Sequence, residues 1–261
     1  MSTNKDLWQN IQDKFLEVNS PLFQETDSLL KQELRDPTNY NSVISAIANG
    51  ASRLSDIATK AHLENSAVTV YLNNLISLGI VERKVPVTEE CKERNRKSIY
   101  RISDGLFRFW HTYISKYMNT ILRGKTDIVL SIIKHDLSRF MGIEFERLSQ
   151  DYLWDHVEDK DIVPTPFIYL GNWWGTDNWT RTKIELDVVG ITPEEIVRYF
   201  GECKWKNEQI SQDILKKLIN SSALFDYPQK YYYLFSKSRF TESCRELAEK
   251  VNCKLISFDE M

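Results

Sequence analysis

Two short segments constrain this chain more than anything else in it: Ile184-Glu185-Leu186-Asp187-Val188-Val189 and Phe200-Gly201-Glu202-Cys203-Lys204-Trp205. Each reads as a β-strand, in which residues two apart point the same way. Glu185 and Asp187 then share one face of the first strand, and Ile184, Leu186 and Val188 share the other. On the second strand Glu202 and Lys204 share a face. Paired, the two strands bring three carboxylates and one ammonium to one place. Such a cluster repels itself unless it holds a partner, and a divalent cation with oxygen ligands is the natural one. A carboxylate-bound metal beside a lysine is what phosphodiester cleavage needs. The metal polarises the phosphoryl group and activates water, and the lysine stabilises developing negative charge. Alternating charge is also what a solvated sheet face looks like, and that plainer reading stands beside the first.

The surrounding pattern places these strands in an α/β unit over residues 141–261. A helix is expected from Met141 to about His156, with Met141, Phe145, Leu148 and Tyr152 inward. Strands follow near 162–169, 183–189 and 198–205, then a helix over 211–225, a strand over 230–236, a helix over 241–251 and a strand over 254–258. The order fits an α/β sandwich with a mixed sheet. An aromatic loop, Gly171 to Trp179, separates the first two strands. Its Trp173, Trp174 and Trp179 suit pinning the loop to its own domain more than stacking on bases. Ser236-Lys237-Ser238 follows the end of a strand, a place that can meet a phosphate.

Upstream, residues 1–37 read as N-terminal helices interrupted at Pro21, and residues 38–103 as a winged helix-turn-helix. Helices are expected over Asn41–Ala48, from Leu54 and over Asn65–Leu78, with stops at Asn49-Gly50 and Gly79. Strand-like pieces at 80–87 and 98–102 flank a polar wing. Read as a DNA-binding element, the third helix offers Thr69, Asn73, Asn74 and Ser77, and the wing offers Lys92, Arg94, Arg96 and Lys97. The helix itself holds no Lys or Arg, which is poor for phosphate or guanine contacts. A winged helix used for protein contacts fits equally well. Residues 104–140 are a helical linker, with Phe107, Phe109, Trp110, Tyr113, Ile114 and Tyr117 suited to a core. Two helices are expected across the boundary, over 127–140 and 141–156.

The 261 residues are 42% hydrophobic and 27% charged, which suits one or two globular domains. Residues 141–261 carry 15 Lys and Arg against 21 Asp and Glu, so strong nonspecific attraction of that half to nucleic acid is not expected. Cys91, Cys203, Cys244 and Cys253 have no CxxC spacing and read as reduced thiols. His62, His111, His135 and His156 lack ligand spacing. No membrane span or secretory signal is seen, so a cytoplasmic location is expected. There is no GxxxxGK[ST] loop, so no ATP site of that kind is expected in this chain.

Asp187 followed by Glu202-Cys203-Lys204 resembles the D…ExK signature of restriction-endonuclease-like, PD-(D/E)XK nucleases. A narrower resemblance runs over most of residues 30–258. It is carried by Asn39-Tyr40 to Ala48-Asn49-Gly50, Gly79-Ile80-Val81-Glu82-Arg83, Arg108-Phe109-Trp110, Phe145-Glu146, Trp173-Trp174-Gly175, Glu185-Leu186-Asp187, Gly201-Glu202-Cys203-Lys204-Trp205 and Phe235-Ser236-Lys237. These pieces are similar to the region that follows the P-loop domain in archaeal-type predicted ATPases, where a winged helix precedes a nuclease-like domain. The resemblance implies Mg²⁺ or Mn²⁺ as cofactor, with Asp187 as first ligand, Glu202 bridging metal and water, and Lys204 orienting or activating the water and facing the leaving phosphate charge. It adds Glu146 as the glutamate of the first helix, with Glu144 as fallback and Glu185 as a further ligand. It implies DNA as a partner and a separate P-loop ATPase as another. A non-catalytic DNA-binding or ATPase-associated module is the alternative.

Overall fold

A computed structural model describes residues 5–33, 36–89, 97–177, 180–194, 196–227 and 229–261. The chain divides into two compact units. The first comprises residues 1–84 and 98–136; the second comprises 85–97 and 137–261.

The first unit opens with α1 (Leu7–Ile11), which runs into a π-helical turn over Gln12–Leu16, and α2 (Pro21–Glu33). Then come α3 (Pro37–Ala48), α4 (Leu54–Ala61) and α5 (Asn65–Ser77). Pro37 stands in the first turn of α3, where its missing N–H costs nothing. Gly50 and Gly79 follow α3 and α5 at φ 91° and 71°, a left-handed backbone that ends each helix at low steric cost. An antiparallel pair, β1 (Val81–Lys84) and β2 (Ile99–Ile102), comes next, with Val81 opposite Ile102. Val43, Ile44, Ile57, Val68, Leu72 and Leu75 bury against this pair. The period of 3.6 in α5 supplies Val68, Leu72 and Leu75 as one stripe. After β2, α6 (Gly105–Phe109), a π-helical stretch over Trp110–Ser115 and α7 (Met118–Leu122) carry the aromatic run. Phe107, Phe109, Trp110 and Tyr113 are buried, and Trp110 Nε1 donates to Phe23 O at 2.8 Å. They are core, as expected.

The two helices expected over 127–140 and 141–156 are one: α8 runs unbroken over Thr126–Asp155. Gly142 lies within it, and a lone glycine costs a helix only about 1 kcal/mol. The second unit then forms a five-stranded sheet in the order β3 (Tyr169–Thr176), β4 (Lys183–Ile191), β5 (Val197–Lys204), β6 (Tyr231–Ser236), β7 (Cys253–Ser257). β3, β4 and β5 are antiparallel; β5, β6 and β7 are parallel, joined through α9 (Gln212–Ser222) and α10 (Glu242–Lys250). Parallel neighbours need such crossovers. One face packs Leu186, Phe200, Tyr232 and Leu234 with Leu215 and Leu218 of α9. The other packs Val188, Tyr199, Cys203, Tyr233 and Phe235 with Phe145 and Leu153 of α8. This is the expected α/β class with a mixed sheet.

Two strand readings need correction. The strand expected at 162–169 begins only at Tyr169, and most of the expected aromatic loop is that strand. β-propensity of Trp173 and Trp174 outweighs the glycines beside them. Gly175 answers to close packing instead of a turn: a Cβ there would meet the Trp173 ring at 2.5 Å. Upstream, the expected 80–87 strand stops at Lys84, and Val87 is buried in the sheet's core in the second unit.

Candidate functional site

β3 and β4 do not pair evenly. Gly171 faces Val189 and Trp173 faces Leu186, so Asn172 alone stands opposite Asp187 and Val188. The extra residue on β4 is a bulge, which turns side chains off the regular alternation. Val188 therefore packs on the opposite face from Leu186, against the expectation that the two share one. The bulge also takes the Asp187 carbonyl out of the ladder. Two side-chain amides satisfy it instead: Gln150 Nε2 donates at 2.7 Å and Asn172 Nδ2 at 3.0 Å. Asn172, a buried residue, also donates to Glu146 Oε2 at 3.2 Å.

β4 and β5 meet for the last time at Val188 and Gly201. A Cβ on Gly201 would lie 2.8 Å from Val188 Cβ, so glycine is what allows this approach. Next along, Cys203 N–H donates not to a backbone carbonyl of β4 but to Asp187 Oδ2, at 2.8 Å. Asp187 thus projects its carboxylate between the two strands. Burial raises its pKa, and the like charges of Glu202 and then Glu146 raise it further, to about 7. The Cys203 N–H and Lys204 oppose that rise. Lys204 Nζ donates to Glu202 Oε1 and, at 3.3 Å, to Cys203 O. Burial would lower the Lys204 pKa, but the Glu202 carboxylate and its hydrogen bond more than offset this and raise it. Lys204 is a firm cation.

Asp187, Glu202, Lys204 and Glu146 are therefore one electrostatic group. Glu144 pairs with Arg147 at 3.4 Å. Glu185 is exposed, opposite Trp174. The Cys203 thiol is buried, and burial raises its pKa well above the usual range, which leaves it unreactive. Sequence reasoning missed Asn172 and Gln150. Glu146 and Gln150 are one helical turn apart, so their spacing held a signal for Gln150. Asn172 held none, because the bulge that makes it central comes from strand register.

Most of the described residues expected to touch DNA make hydrogen bonds or ion pairs within their own unit. Thr69 Oγ1 donates to Asn65 O at 2.8 Å, Ser77 Oγ to Asn74 O at 2.8 Å, and Asn74 Nδ2 to Tyr40 OH at 2.5 Å. Asn73 is exposed. Lys97 pairs with Glu89 at 2.6 Å, and its carbonyl accepts Trp174 Nε1 at 3.1 Å. Lys92, Arg94 and Arg96 lie outside the described residues.

Among the described residues, no three His, Cys, Asp or Glu side chains are grouped as a set of metal ligands, and no helix is long and apolar enough to cross a membrane. Residues 110–218 match a family, DUF234, described as archaeal and bacterial proteins of unknown function. The uncharacterised protein MJECL04 of Methanocaldococcus jannaschii is 30% identical over 236 residues, which are 88% of this chain and 51% of that protein. The chain spans about half the length of this relative. Among solved structures, protein VC1899 from Vibrio cholerae is similar at a TM-score of 0.37 and 16% identity, over 94% of this chain and 55% of that one. Human N-acetylserotonin methyltransferase, in complex with SAM, gives 0.21 and 8%, over 98% and 67%.

Proposed function

We propose that the second unit is a restriction-endonuclease-like domain that hydrolyses phosphodiester bonds of nucleic acid with a divalent cation. One observation carries the reading: the Asp187 carboxylate, held between β4 and β5 by the Cys203 N–H, with Glu202, Glu146 and Lys204 as the charges acting on it. A structural ion pair would balance its charges. Here burial first, and then two other carboxylates, raise the pKa of Asp187, and Lys204 does not offset them.

The donor set fits Mg²⁺ or Mn²⁺. These hard cations are commonly held by one or two carboxylates, with water and substrate phosphates completing the shell. Asp187 and Glu202 would be those carboxylates, and their mutual repulsion is what a bound cation relieves. When bound, the cation would polarise the phosphoryl group and lower the pKa of a water. The chain's own residues do the rest. Lys204, kept charged by Glu202, stabilises negative charge developing on the phosphate. Glu146, oriented by Asn172, is placed to accept a proton from water. Asn172 and Gln150 hold the Asp187 backbone so that its carboxylate keeps one direction.

The test is cleavage of plasmid, branched and single-stranded DNA with Mn²⁺ by wild type, Asp187→Asn and Lys204→Met. Loss of about 10²-fold or more in each variant is expected. Equal cleavage by all three would reject the roles.

A second reading concerns the first unit, whose three helices and strand pair we read as a winged helix. α5 carries no Lys or Arg, and Thr69, Asn74 and Ser77 spend hydrogen bonds within the unit. This supports a protein-contact role, with a P-loop ATPase as the partner, over base readout.

A further inference from the structure

β5 and β6 run parallel, with Lys204 opposite Ser236. The residue just after β6, Lys237, donates its backbone N–H to Lys204 O at 3.0 Å. Two lysines therefore leave adjacent strand ends side by side, but their surroundings differ. Lys204 is half-buried and pairs with Glu202. Lys237 is exposed, and among the described residues no carboxylate is seen paired with its ammonium. Nζ lies 5.2 Å from the centre of the Trp205 ring and donates to Asn207 Oδ1 at 2.8 Å. Trp205 in turn packs against Phe145 and Phe258, with ring centres 5.1 and 5.0 Å apart. An indole face and an amide oxygen hold a cation in place without neutralising it. The remaining donors of the ammonium point to no acidic partner among the described residues.

We infer that Lys237 is a preformed contact for a backbone phosphate of the nucleic acid, beside the phosphate that Lys204 faces. This rests on the phosphodiesterase reading for its ligand and extends the site by one phosphate. Exposed Lys206 and Arg239 flank the same strand ends; Glu208, whose carbonyl accepts Ser238 Oγ, and Asp259 and Glu260 just beyond β7 are acidic residues of that edge. A single held cation suits one phosphate and carries no base preference.

The experiment measures binding of a fluorescein-labelled DNA hairpin with a single-stranded tail. It uses the full chain with Ca²⁺ present and titrates salt. Wild type, Lys237→Gln and Lys237→Arg are compared, together with their melting temperatures. Lys237→Gln should weaken binding about three- to tenfold and flatten the slope of log affinity against log salt by about 0.7–0.9, one phosphate contact. Lys237→Arg should restore both. Unchanged affinity and slope in Lys237→Gln would overturn the inference. So would a lowered melting temperature with the slope intact, since covering Trp205 would then be the lysine's whole role. Absence of DNA binding by wild type would overturn it as well. The two readings fail separately: equal cleavage by Asp187→Asn removes the nuclease, while an unmoved salt slope removes the Lys237 contact.

Discussion

At the scale of single residues, the buried Asp187 carboxyl costs stability. Its carboxyl is raised to about 7 by burial first and by Glu202 and Glu146 next. An unfolded aspartate ionises near pH 3.9. Between about pH 4 and 7 the unfolded chain has lost this proton while the folded one keeps it. The folded state therefore loses stability as pH rises through that window, and the loss is complete above about 7. Asp187→Asn keeps an acceptor for the Cys203 N–H and removes the charge. It should be more stable than wild type at pH 8, by on the order of 4 kcal/mol, with the difference vanishing toward pH 4. Melting curves of the two proteins without metal across that range check this. A pH-independent difference would mean that Asp187 is not strained by its neighbours.

At the scale of elements, the site depends on how β4 lies between its neighbours. The bulge opposite Asn172 lifts the Asp187 carbonyl to Gln150 and Asn172, and Gly201 lets β4 approach β5 where the regular ladder ends. Gly201→Ala puts a methyl 2.8 Å from Val188 Cβ, and both belong to strand backbones with little room to move. A cost of about 1–3 kcal/mol is expected. Because the shift falls beside Asp187 and Glu202, the proposed nuclease reading expects DNA cleavage, under conditions where the variant is folded, to drop by more than the small unfolded fraction explains. Cleavage per folded molecule, measured against the melting curve, decides it. The segments themselves were readable: Glu202 and Lys204 share a face as the period of two requires. The bulge was not, because it is a mismatch between two strands and neither shows it alone.

At the scale of the whole molecule, the second unit is assembled from two separate stretches of chain, 85–97 and 137–261. Val87 is 3% exposed and sits in the sheet's core, Thr88 Oγ1 accepts Trp173 Nε1 at 3.1 Å, and Lys97 O accepts Trp174 Nε1. These contacts lie along β3 on both sides of Asn172. A fragment of residues 137–261 should therefore melt below the same unit in the full chain, by the equivalent of about 2–4 kcal/mol for one buried valine and two lost hydrogen bonds. Added peptide 85–97 should raise its melting temperature in proportion to the logarithm of its concentration. No response to the peptide would show that the segment is not part of the unit's core. The sequence by itself determined the α/β class, the helix ends at Gly50 and Gly79, and the shared face of Glu202 and Lys204. Those follow from local rules, the steric freedom of glycine and the two periodicities of the backbone. Only the tertiary structure decided that Asn172 and Gln150 serve Asp187, that Val188 changes face, and that residues 85–89 and 97 belong with the sheet. Each of these depends on strand register and on contacts between residues far apart in sequence, and no local pattern encodes either.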